Sequence, residues 1–145
     1  MINRNDNPDY LNSFLDYNIT ILNKSPNTIK EYNYDLAVFL KYIKRHFNEQ
    51  NGDTETSATN DLKDICITDI PISVISKITL EDIHSYISYM ATVLKSQPTT
   101  RARKISSIRV FFHYLSQKAK LIDTNPAQNL ETPKIRKTYS KILIS

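Results

Sequence analysis

A single glycine, Gly52, among 145 residues is the strongest constraint on what this chain can fold into. Sheets joined by tight hairpins depend on Asn-Gly, Asp-Gly or Gly-led turns, whose central residues need positive φ. Asn51-Gly52-Asp53 is the one candidate, and it lies in a polar run with no alternating strand pattern beside it. The segment therefore reads as loop, and the chain as all-α: a compact bundle of four main helices plus a short C-terminal helix.

Proline and capping residues mark where those helices begin. Asn7-Pro8 fits an N-cap followed by the first helical position, and Leu11, Phe14, Leu15 and Leu22 then recur at helical spacing to an end near Asn23. Ser25-Pro26-Asn27-Thr28 repeats the signal, with Ile29, Tyr32, Leu36, Phe39, Leu40, Ile43 and Phe47 forming one apolar face. Lys30, Tyr34, Lys41 and Arg45 form a separate stripe expected to face away from the core. Thr79-Leu80-Glu81-Asp82 resembles a capping box and opens a third helix, expected to bury Leu80, Ile83, Ile87, Met90, Ala91 and Leu94. Pro98 separates it from a fourth, capped by Thr99 or Thr100, with Ile105, Ile108, Phe112, Leu115 and Ala119 inward and Phe111 at the edge. Arg103, Ser106, Ser107, Val110 and Tyr114 are expected opposite that stripe.

The connections are less regular. Residues 48–64 carry five carboxylates without helical periodicity and read as a mobile acidic loop. Ile65–Ile78, broken by Pro71, fits either a short strand or an irregular segment with one helical turn. Asn125-Pro126 starts a last short turn or helix through Leu130. Residues 1–133 thus read as one domain and 134–145 as the start of a linker. The single cysteine, Cys66, has no disulfide partner and is expected to be buried, which suits a cytoplasmic setting. No apolar run approaches the ~20 residues of a membrane span.

Charge is divided unevenly along this chain. Residues 1–82 hold eight Lys/Arg against thirteen Asp/Glu, and residues 83–145 hold eleven against two. The forty residues from Ile83 to Ile122 contain no acid and seven cations. A one-sign run within a folded segment points to an anionic partner.

Several chemistries find no support. His46, His84 and His113 lack the paired spacing of metal ligands, the basic half has almost no acids, and no glycine-rich loop exists to hold a nucleotide. None of the nine tyrosines is set apart by its neighbours as a nucleophile. No cofactor or metal is expected.

Phosphate-binding residue types cluster instead at two helix openings: Lys24, Ser25, Asn27, Thr28, Lys30 and Tyr34 at one, and Thr99, Thr100, Arg101, Arg103, Lys104 and Ser107 at the other. Each has a plainer reading. Ser25, Thr99 and Thr100 suit helix caps, the lysines suit a solvated face, Arg101 suits a snorkelling side chain and Arg109 a structural ion-pair partner. Only together with the acid-free run do they point to duplex DNA.

Four segments carry a family resemblance. Ser25–Tyr32 with Asp35-Leu36 and Phe39-Leu40, Ile78–Ile83 with Tyr86-Ile87, Arg103–Leu115, and Asn125-Pro126-Ala127 through Pro133-Lys134 resemble the core-binding domain of tyrosine recombinases, a family of phage integrases and Xer-type enzymes. The resemblance implies a SAM-like helical domain forming half of a clamp on DNA at a recombination half-site, with the second and fourth helices facing the duplex. It also implies synaptic tetramers of protomers and a covalent phosphotyrosine reaction needing no metal. Those catalytic residues would lie in a further domain beginning near Tyr139, and no activity is expected of these residues alone. The long acidic connection departs from the family pattern. The alternative function is a helical protein-interaction module whose basic face takes an acidic partner protein.

Overall fold

The computed structural model describes residues 4–50 and 62–133. Its helices are α1 (Asp9–Thr20), α2 (Pro26–Gln50), the single turn α3 (Ile72–Ile75), α4 (Leu80–Thr92) and α5 (Pro98–His113). A π-helical turn, Tyr114–Lys118, continues α5, and no strand occurs among the described residues. The all-α expectation is met. The 25-residue α2 is the spine, packed against α1, α4 and α5.

The apolar stripes read from the sequence meet on that spine. Leu11, Phe14 and Leu15 of α1, Leu36, Phe39, Leu40 and Ile43 of α2, and Ile105, Ile108 and Phe112 of α5 are all buried. Each such side chain contributes about 1.5–3 kcal/mol by leaving water. Aromatic edges add geometry: Phe14 meets Phe111 at 5.4 Å and 83°, and Phe39 meets Phe112 at 6.1 Å and 84°. Such T-shaped pairs contribute beyond their area.

Several expectations about faces fail, for identifiable reasons. Leu22 and Leu94 are exposed because α1 and α4 stop at Thr20 and Thr92, so neither continues the helical face. Tyr86 is buried in α4 instead, packed on Phe39 at 5.2 Å. Phe111 lies fully in the core, not at its edge. Asn7 does not cap α1; Pro8 is the N-cap, and the Asn7 amide donates to Asn12 (3.1 Å) and Asn33 (2.6 Å), tying the start of α1 to α2. Arg45 is buried, with its guanidinium 5.2 Å from the Tyr89 ring centre, so the stripe Lys30–Arg45 does not face solvent throughout. Cys66 is exposed, its sulfur 3.0 Å from the Thr68 hydroxyl.

Helix α2 reaches Gln50, inside the segment read as loop, and Leu62 is buried in a 3₁₀ turn (Leu62–Asp64) at its far end. The acidic residues between, 51–61, and the expected linker 134–145 lie outside the described residues. Ile65–Ile78 resolves to the irregular alternative, with Ile67, Ile70, Ile75 and Ile78 buried around α3. Lys44 holds this segment to α2 through the Cys66 carbonyl and the Asp69 carboxylate, each at 2.8 Å. Asn125 closes the last turn by accepting from the Ala127 N–H at 2.9 Å.

Candidate nucleic-acid interface

The two helix openings singled out in the sequence are built differently. At α2, Ser25 is a true cap: its hydroxyl accepts the Thr28 N–H at 3.2 Å and lies 3.0 Å from the Thr28 hydroxyl. Lys24, Asn27 and Lys30 stand exposed around that turn. At α5 the N-cap is Gln97, with no side-chain cap, and Pro98 takes the first helical position. Thr99 and Thr100 therefore lie inside the first turn and do not cap it, contrary to expectation. A turn left without a side-chain cap keeps backbone N–H donors for an anion.

The seam between the openings is organised by a residue to which the sequence reading gave no role. Asp35, on α2, is a buried carboxylate with a fully enclosed side chain. Its Oδ2 accepts from Arg103 Nη1 at 2.7 Å and from the Ser107 hydroxyl at 2.8 Å, and its Oδ1 from Lys104 Nζ at 3.1 Å. Glu31, one turn earlier, lies 3.9 Å from the same Arg103 nitrogen. The Lys104 amine also sits 4.8 Å from the ring centre of Tyr34, which is 62% exposed. Lys30 is one helical turn before Tyr34, so Lys30 and Arg103 belong to the same side of the domain.

These contacts sort the candidate residues. Lys24, Asn27, Lys30, Tyr34 and Thr99 are exposed, and the Arg103 side chain is 40% exposed. Ser107 is buried on the α2 side, not opposite the apolar stripe, and Lys104 keeps only 12% of its side chain in solvent. Arg101 donates to the Ser96 carbonyl and Arg109 to the Leu130 carbonyl, so both have structural partners, Arg109 a carbonyl where an acid was expected. The signal that could have found Asp35 was the spacing of Glu31 and Asp35, two acids at i, i+4 on the helix expected to face phosphate.

Other chemistry has little footing. Among the described residues, no group of three or more His, Cys, Asp or Glu side chains is placed to hold a metal ion. His46 and Asp82 meet at 3.1 Å, but Asp82 also completes the α4 capping box with Thr79. Among the described residues, no helix is long and apolar enough to cross a membrane.

Comparison with known proteins gives the arrangement a context. No family model and no solved structure matches the chain. Tyrosine recombinase XerC of Caldanaerobacter subterraneus subsp. tengcongensis is 38% identical over 128 residues, covering 88% of this chain and 35% of the relative. Tyrosine recombinase XerC of Leptospira interrogans is 30% identical over 128 residues, 88% of this chain and 33% of the relative. Tyrosine recombinase XerD of Listeria innocua is 30% identical over 137 residues, 93% of this chain and 37% of the relative. The chain spans about a third of the length of these curated relatives. Similarity of this extent, over a helical unit with the expected segments in order, assigns the family: the chain belongs to the Xer-type tyrosine recombinases and represents an N-terminal domain of such an enzyme.

Proposed function

We propose that this domain grips duplex DNA at a recombination half-site, as the SAM-like core-binding part of a longer tyrosine recombinase. Strand cleavage and rejoining through a phosphotyrosine would fall to a catalytic domain outside these residues, and other protomers would join it in a synaptic tetramer. Such an enzyme works on chromosomal or mobile DNA, which suits a cytoplasmic protein.

One observation carries this reading: α2 and α5 are tied together at Asp35, beside which Lys30 and Tyr34 stand exposed and Arg103 stays partly exposed, and the first turn of α5 has no side-chain cap. Exposed cations and free N–H groups position a protein on phosphates, and a helix opening presented this way can enter a major groove. Lys104 and Ser107 then serve by holding Arg103 and α5 in place; they are not the groups that meet the duplex.

The test is a titration of fluorescent duplex across a salt series. With about four to six phosphates neutralised, log affinity falls with log salt at a slope near −4 to −5. A flat response, with saturable binding to an acidic protein instead, would favour the interaction-module alternative.

A further inference from the structure

We infer that Asp35 limits how many cations the α2–α5 face offers to phosphate, and so sets its selectivity against arbitrary duplex; this rests on the DNA reading above. The seam holds two acids, Glu31 and Asp35, against two bases, Arg103 and Lys104, so its middle carries no net charge. The positive charge of the face comes from its flank, at Lys30, which is exposed one turn before Tyr34. Any phosphate reaching Arg103 or Lys104 must compete with a carboxylate that is already desolvated and holds three donors.

Holding α5 against α2 does not by itself require this arrangement. A buried ion cluster costs desolvation, and apolar side chains of similar volume often hold two helices as well or better. What the carboxylate supplies that an apolar residue cannot is control of charge. Arg103 stays partly presented, for a duplex whose shape brings a phosphate to its remaining donors. Lys104 is held under the Tyr34 ring, away from indiscriminate contact. Arg103 keeps 40% of its side chain in solvent, so losing the carboxylate frees it to extend toward a phosphate.

The experiment compares the wild-type domain with Asp35→Asn, Glu31→Gln and each of these combined with Arg103→Gln. Affinity for a labelled duplex of arbitrary sequence is read by anisotropy over a salt series, and melting curves check the fold. Asp35→Asn is expected to steepen the log–log slope by about one and tighten binding roughly three- to tenfold at low salt. Most of that gain is expected to vanish when Arg103→Gln is added. Glu31 is exposed, so Glu31→Gln leaves the fold intact; it moves the slope in the same direction by less, and carries the test alone if Asp35→Asn does not fold. A slope unchanged or shallower in these variants overturns the inference while the DNA reading stands. A wild-type domain whose binding ignores salt overturns both.

Discussion

Asp35 is the residue on which the geometry turns. Its carboxylate is enclosed and serves three donors, so deletion leaves Lys104 almost buried without its counter-charge. Breaking such a cluster from one side costs about 3–5 kcal/mol. Asp35→Ala should therefore lower the urea midpoint clearly, whereas Glu31→Ala, on the surface, should shift stability by less than about 0.5 kcal/mol. Cys66 gives a second residue-scale test. The Thr68 hydroxyl hydrogen-bonds to its thiol and holds it below the usual cysteine range, and the side chain is exposed. Native protein should react with a thiol reagent as fast as urea-unfolded protein; protection of many-fold would contradict the exposure. The sequence favoured burial of Cys66 because free cysteines are usually buried. No local pattern reveals that it falls on the outward side of the irregular 62–70 segment.

At the scale of the element, helix starts were legible and helix ends were not. Starts carry chemistry in single residues: Pro26, Pro98 and the Thr79–Asp82 box each mark a boundary. Ends usually carry glycine, and this chain spends its only glycine elsewhere. Its helices close instead with non-glycine residues at positive φ: Asn23, Lys95 and Lys120, each at 53°. In each case the next N–H reaches back six residues, Lys24 to Asn18, Ser96 to Met90 and Leu121 to Leu115, at 2.8–2.9 Å. Lysine in that conformation costs about 1–2 kcal/mol, more than the extra chain entropy of glycine. Lys95→Gly should thus stabilise the domain by roughly 0.5–1 kcal/mol in a denaturant melt, and a loss of stability would contradict the cap. Thr79→Ala, which removes the acceptor for the Asp82 N–H, should cost about 1 kcal/mol.

Over the whole molecule, the fold was readable because apolar spacing dictates which faces meet, and four stripes on one long helix leave few packings. The interface was readable only in outline. Composition reveals an acid-free run, but pairing between α2 and α5 joins residues 68 to 72 positions apart, and no local pattern encodes it. The tight core also sets a pH response. Burial raises the ionisation of Tyr10, Tyr42 and Tyr86 above the ordinary 10.0. A pKa raised in the folded state favours the protonated form there. That contribution is complete below about pH 10 and is lost as pH climbs through the folded-state values. The melting temperature should hold to about pH 9.5 and fall steadily above it; a constant value to pH 11 would contradict the burial of these hydroxyls.

The central claim is that duplex DNA meets the first turns of α2 and α5. Lys30→Glu and Thr99→Glu put negative charge at those openings, and the second favours its helix, since a carboxylate suits the first turn. Lys77→Glu is the control: Lys77 lines the groove beside Phe47, roughly 25 Å along α2 from Lys30 and beyond the ~8 Å reach of surface charge at physiological salt. The deciding measurement is the dissociation constant of each variant for one labelled duplex at fixed salt. The account predicts weakening of about tenfold or more for Lys30→Glu and Thr99→Glu, and less than about twofold for Lys77→Glu. Equal losses at all three positions, or a larger loss at Lys77, would contradict it.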